Sequence, residues 1–279
     1  MKTLYVSDLD GTLLTRGEYV SAYSRERLNG LIESGMTFTF ATARSVQSAR
    51  QAASGLNLRT PAILYNGGLI YDYNAHKPLL FKLFSQELKD YVLFVLRTLG
   101  IEPFVYDADE EGRHERVVWN SLAESDSMKR YLSRRSSDSR MHPVNGEEII
   151  NGYVFNFKCV GPKELIERAW NVLKYDSRLI CIFHQETYHS DYWMEISPRE
   201  ATKANAVLWL KNHLGSERVV CFGDTSNDSD MFDVCDQKYA VQNADDWLKE
   251  KATAVIGYCE EDGVAKWLEA NSGFTTGKS

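Results

Sequence analysis

Thr3-Leu4-Tyr5-Val6-Ser7-Asp8-Leu9-Asp10-Gly11-Thr12 begins as a short apolar run and ends in two carboxylates one residue apart. The run is β-branched and aromatic, which reads as a buried strand. Asp8 and Asp10 then lie at its carboxyl end, and Gly11 permits a tight turn that leaves both at the mouth of the sheet. Carboxylates placed there are costly to desolvate without compensation. In open parallel sheets that edge is where ligands bind. The bland alternative is that Asp8 and Asp10 merely cap a loop or helix.

Downstream the pattern alternates. Ser24 to Ser34 carries apolar residues near helical spacing and stops at Gly35. Thr37 to Ala41 reads as a second strand, Ser45 to Gly55 as a second helix and Ala62 to Tyr65 as a third strand, punctuated by Asn66-Gly67-Gly68. Alternating strands and helices predict a parallel sheet covered on both faces. The rhythm then changes. A hairpin over Leu69–Tyr73 and Leu79–Phe84 is followed by an α+β block with a polar stretch from Ser121 to Arg140. It resumes at Thr202, with a helix over Lys203–Leu214 and a strand over Arg218–Phe222. The expected fold class is α/β: a Rossmann-like parallel-sheet core from residues 1–83 and 193–279, with an α+β cap inserted over 84–192. The stretch from Gly273 to Ser279 reads as a disordered tail.

Composition narrows the function. The net charge of -7 argues against nucleic acid as a partner, which needs a basic face. It also means that an anionic substrate must be captured by local dipoles, a metal or a few placed cations. No apolar stretch approaches a membrane span, and Met1-Lys2-Thr3-Leu4 has no signal-peptide organisation, so a cytoplasmic protein is expected. The five cysteines are widely spaced and lack C-x-x-C, which predicts reduced thiols in place of a zinc or disulfide framework.

A second acidic cluster follows the Arg218–Phe222 strand: Gly223-Asp224-Thr225-Ser226-Asn227-Asp228-Ser229-Asp230. If that strand lies beside the first, Asp224 faces Asp8. Facing carboxylates repel unless a cation separates them, and a hard divalent ion such as Mg2+ fits oxygen ligands. The alternative is an Asx-rich helix start capped by Asn227 or Asp228. Thr42, in Ala41-Thr42-Ala43-Arg44, ends another strand, and its hydroxyl with the following N–H groups makes a phosphate cradle. Lys203 opens a helix and supplies one positive charge, although a lone lysine there is ordinarily a solvated side chain.

Together these residues resemble the haloacid dehalogenase superfamily. The order is Asp8-x-Asp10-Gly11-Thr12, then Thr42, then Lys203, then Gly223-Asp224-x-x-Asn227-Asp228-x-x-Met231. The block inserted between the second and third motifs resembles the Cof-type branch with its C2B cap, and Asn66-Gly67-Gly68 is similar to a signature of that branch. Ala43 and Thr225 replace commoner glycines without removing a functional group. The resemblance implies a phosphoric monoester hydrolase, dependent on Mg2+, in which Asp8 becomes an aspartyl phosphate and Asp10 moves protons. It implies that Thr42, Ala43, Lys203 and Asn227 hold the substrate phosphate. Metal ligands would be Asp8, the Asp10 carbonyl and Asp224, with Asp228, Gly11 and Thr12 in support. The expected substrate is a small phosphate ester, sugar phosphates foremost, and the expected assembly a monomer or weak homo-oligomer. A phosphomutase using the same two aspartates is one alternative, and a non-catalytic binding or regulatory module another. In the cap, His184, Glu186, His189 and Tyr192 are candidate leaving-group contacts, against the commoner core or surface roles. Gly273 to Ser279 looks like a P-loop but has one residue too few between its glycines and no helix after it.

Overall fold

The computed structural model describes residues 1–108, 114–185 and 190–274. The chain opens with β1 (Thr3–Ser7), α1 (Ala22–Glu33), β2 (Thr37–Phe40), α2 (Val46–Ala52), β3 (Ala62–Leu64), β4 (Leu69–Asp72) and β5 (Lys77–Phe81). There follow α3 (Gln86–Thr98), β6 (Phe104–Ala108), β7 (Glu115–Asn120), α4 (Asp126–Ser133), β8 (Met141–Val144), β9 (Tyr153–Gly161), α5 (Lys163–Leu173), β10 (Leu179–Gln185) and β11 (Tyr192–Pro198). The last part holds α6 (Lys203–His213), β12 (Arg218–Gly223), α7 (Ser229–Val234), β13 (Gln237–Val241), α8 (Asp246–Lys251), β14 (Ala254–Ile256) and α9 (Gly263–Asn271). Hydroxyl caps set several helix starts. Ser21, Ser45, Ser85, Ser125 and Thr202 each accept the amide three residues on.

Two compact units result, Met1–Leu80 with Ala201–Ser279, and Phe81–Glu200. In the first, β14-β13-β12-β1-β2 form a parallel sheet. Its β1, β2 and β12 strands are almost wholly buried: Leu4, Val6, Phe38, Val219 and Phe222 are at most 1% exposed, as expected of strands covered on both faces. β3 corrects the sequence reading. It pairs antiparallel with β4 in a separate β3-β4-β5 sheet and touches the parallel sheet through an Ala41–Ile63 bridge. The reason is local: Tyr65, Asn66 and Gly67 all have positive φ and turn the chain back on itself.

The second unit is a sheet of order β10-β11-β9-β6-β7-β8. Alternation along the strands sorts its faces. Val105, Phe157, Met194 and Ile196 join Leu88, Val92 and Leu96 of α3 and Ile166 and Leu173 of α5 in one core. On the other face, Phe104 and Trp193 pack on Tyr131 of α4. This unit extends beyond the 84–192 drawn from sequence because β11 pairs antiparallel with both β9 and β10, which binds it into this sheet. The sequence reading did not mark β7 or β8. β7 begins Glu115-Arg116, and β8 carries Pro143 at the sheet edge, where a missing donor is tolerated.

Candidate active site

β1 and β12 are neighbours, with Ser7 opposite Phe222. Asp8 N–H continues the ladder to the Phe222 carbonyl at 2.9 Å. The adjacency on which the facing of Asp8 and Asp224 depended is therefore present. Asp8, Asp224 and Asp228 are all buried and offer carboxylate oxygens within 4.8 Å of one another. Lys203, 1% exposed, reaches into this cluster from the start of α6. Its Nζ donates to Asp8 Oδ1 at 2.6 Å and to Asp228 Oδ1 at 2.7 Å. So the lysine is the opposite of a solvated helix-start side chain.

The carboxylates have different freedoms. Asp228 is fully engaged: besides Lys203, its Oδ2 accepts the N–H groups of Asp224 at 2.9 Å and Thr225 at 3.3 Å. It closes the loop after β12 and anchors the lysine. The Asp224 carboxylate accepts only the Thr12 hydroxyl, on Oδ1 at 3.2 Å, among the described residues. Gly11 makes the approach possible. It has φ +76°, and a Cβ there would lie 2.2 Å from Asp224 Oδ2.

Charge does not balance in this cluster. Three buried carboxylates meet one buried ammonium. Burial, Asp228 and Asp224 push the Asp8 carboxyl up against the pull of Lys203. Burial and then Asp228 raise Asp224 to about 7. Burial alone would discharge Lys203, but Asp8 and Asp228 outweigh it and keep the lysine protonated. Two hard-oxygen carboxylates with unused lone pairs, in a site short of positive charge, fit a divalent cation on Asp8 and Asp224.

Asp10 stands apart from this cluster. Its side chain is 50% exposed and is gripped by Arg44, whose Nε donates to Oδ1 at 3.1 Å and Oδ2 at 2.9 Å, with an Nη2 bond to Oδ1 as well. Arg44 Nη2 also reaches Glu18 at 2.9 Å. Reading the sequence placed Arg44 in a motif but gave it no role; a guanidinium so placed is a fork for carboxylate or phosphate. Thr42 is buried and its Oγ1 accepts the Arg44 N–H at 3.2 Å, while Ala43 is exposed. Asn227 is exposed, with its Oδ1 taken by the Thr225 hydroxyl at 2.7 Å. Asn243, also unmarked in the sequence, donates to the Gly11 carbonyl at 2.7 Å and steadies the turn.

Gly67 also gains a physical role. A Cβ there would lie 2.0 Å from the Thr202 carbonyl oxygen and 3.0 Å from the Lys203 nitrogen. The chain after β3 therefore packs directly on the backbone that launches Lys203. Gly67→Ala is expected to cost about 2 kcal/mol or more in urea unfolding, from the clash and the positive φ together. Gly68→Ala is the control: φ there is -65° and the nearest atom to a Cβ is 3.2 Å away. Equal, small losses at both positions would remove the close-approach argument.

Among the cap candidates, Glu186 and His189 lie outside the described residues, as does the tail from residue 275 on. His184 is exposed on β10, and Tyr192 stacks on Phe183 with ring centroids 5.2 Å apart. The cysteines are free thiols. No described helix is long and apolar enough to cross a membrane.

The haloacid dehalogenase-like hydrolase profile matches residues 5–268. The 5-amino-6-(5-phospho-D-ribitylamino)uracil phosphatase YwtE of Bacillus subtilis is 26% identical, over 94% of this chain and 95% of its own length. The HMP-PP phosphatase of Serratia proteamaculans is 25% identical over 96% of this chain and 95% of its own. Among solved structures, TM0651 from Thermotoga maritima superposes with a TM-score of 0.77 at 21% identity, covering 97% of each chain. The subclass IIB sugar phosphatase BT4131 gives a TM-score of 0.69 at 19% identity, covering 98% of this chain and 99% of that one. At such identities the structures establish a shared fold.

Proposed function

This chain belongs to the haloacid dehalogenase-like hydrolase family, and from that premise we propose that it is a magnesium-dependent phosphatase of small phosphorylated metabolites, sugar phosphates foremost, working through an aspartyl phosphate on Asp8. One observation carries the reading: a fully buried Lys203 bridges Asp8 and Asp228, with Asp224 in the same cluster. A buried ammonium beside a nucleophile-grade carboxylate suits capture of a phosphoryl group. The relatives named as phosphatases support the reaction class.

In this reading an Asp8 carboxylate oxygen attacks phosphorus, and the bond from phosphorus to the substrate oxygen breaks. Asp10 gives its proton to that leaving oxygen. Asp10 then takes a proton from water as the water oxygen attacks the phosphoryl group, which frees phosphate and restores Asp8. Lys203, Thr42 and the Ala43 N–H steady the phosphoryl oxygens. For Asp10 to act, its carboxyl must exchange the Arg44 fork for the leaving oxygen, so Arg44 becomes the group that parks the acid–base residue between turnovers. Asp8, Asp224 and the Asp10 carbonyl would hold magnesium, which would supply positive charge against the phosphate. A phosphatase screen over phosphorylated metabolites, with and without chelator, tests the whole assignment; turnover undiminished in excess chelator would defeat the metal assignment.

The raised Asp224 carboxyl gives a pH signature. Its folded value of about 7 lies above the ordinary carboxylate range, so in metal-free protein the folded state holds the extra proton. The stability this proton contributes is complete below pH about 4 and is lost as pH rises through about 7. Above that pH the ionised Asp224 carboxylate would be available to hold magnesium. Melting curves should therefore show a magnesium-dependent rise in Tm at pH 8 that shrinks toward pH 5. Asp224→Asn should show little magnesium response at either pH. A magnesium response of equal size in the variant would remove Asp224 from the ion's ligands.

A further inference from the structure

A cavity of about 600 Å³ lies in the first unit between the carboxyl end of α2, the loop before β3 and the turn joining β4 to β5. Its volume is in the range of small-molecule sites. The lining includes Arg50, Arg59 and His76, and no aspartate or glutamate. In a chain of net charge -7 that is an unusual local sign. Neither Arg50 nor Arg59 pairs with a carboxylate among the described residues.

Arg50 is held in place without an anion. Its guanidinium carbon is 5.1 Å from the Tyr73 ring centre, and its Nη2 lies 3.2 Å from His76 Nδ1. Tyr73 is itself fixed, its hydroxyl donating to the Val46 carbonyl at 2.9 Å. A guanidinium fixed by such contacts loses little freedom when it pairs with an anion. Phe40 and Leu58 close the bottom of the cavity but show almost none of their own surface, and the half-buried Tyr73 and Leu56 are the apolar side chains a ligand can touch. Two arginines with the Tyr73 ring and Leu56 in one lining match a ligand that has an anionic head and a flat body.

We propose that this cavity is a second ligand site, separate from Asp8, that binds a phosphate monoester whose organic group contains a planar ring, with Arg50 and Arg59 on the phosphate and the ring against Tyr73 and Leu56. The proposal does not depend on the phosphatase reading.

Isothermal titration of the full chain in excess chelator, with AMP and phenyl phosphate as probes, tests it. Chelation removes any ion that would draw phosphate to the Asp8 cluster, and the arginine variants assign the remaining binding to the cavity. Saturable binding of at least one probe is expected. Adenosine, which lacks the charge, should bind at least about tenfold more weakly than AMP. Arg50→Ala and Arg59→Ala should each weaken binding by about tenfold or more, the usual worth of a charged hydrogen bond. Asp224→Asn should leave it unchanged. Melting curves and circular dichroism of the arginine variants, both at exposed positions, confirm that they fold. Failure of both probes to bind at about 1 mM, which is near the weak end of specific recognition, overturns the proposal. So does binding that ignores both arginine substitutions.

Discussion

Asp8→Asn should lower phosphate release from every ester by about 10⁴-fold or more, the scale seen when a covalent nucleophile is removed. An amide has the shape of the carboxylate but cannot form the aspartyl bond. The substitution should not unfold the protein, because it removes one negative charge from a site holding three buried carboxylates and one lysine. The metal-free variant should melt no lower than the wild type, which separates lost chemistry from lost structure. Turnover within about tenfold of wild type would place the nucleophile on another residue.

Asp10→Asn should lose about 10²–10⁴-fold on a sugar phosphate, the ordinary size of a general acid–base contribution. The loss in the first step should be clearly smaller with nitrophenyl phosphate, whose leaving group departs without a proton. The second step still lacks its base, so phosphoenzyme should accumulate with the activated ester. Rapid quench and mass analysis would show an added phosphoryl group on the peptide containing Asp8. Arg44 supplies the control. Arg44→Ala frees the Asp10 carboxyl from its forked bonds but leaves its proton chemistry intact. It should cost less than Asp10→Asn and trap nothing. If Asp10→Asn slows both esters equally and no adduct forms, Asp10 is an orienting residue and the proton-transfer role fails.

Local pattern carried much of the architecture. β1, β2 and β12, the helices after β1 and β2 and the helix before β12 were legible because buried strands are short apolar runs and these helices begin at Ser or Thr caps and stop near a Gly. The errors have the same kind of cause. β7 opens on Glu115-Arg116 and keeps only the three-residue apolar run Val117–Trp119, while β8 is an edge strand with Pro143, so both fall short of a strand signal. β3 shows the run but not its partner: periodicity reports burial, whereas the choice between parallel and antiparallel pairing was made by the left-handed turn at Tyr65–Gly67.

By itself the sequence determined which candidate groups the chain offers for chemistry. Asp8, Asp10, Thr42, Lys203 and Asp224 stand at strand or helix ends because residue type, spacing and glycine punctuation are local properties. Which of them meet was decided by the tertiary structure alone. The β1–β12 pairing brings Asp8 and Asp224 together from far apart in the chain. The Thr202 cap starts α6, and the close approach of Gly67 to Thr202 packs the segment after β3 against the backbone that carries Lys203. Arg44 on Asp10, Asn243 on Gly11 and the unpaired cations of the α2 cavity have no linear signature. They depend on distances between segments remote in sequence, and burial and charge balance take their values only once those segments are packed.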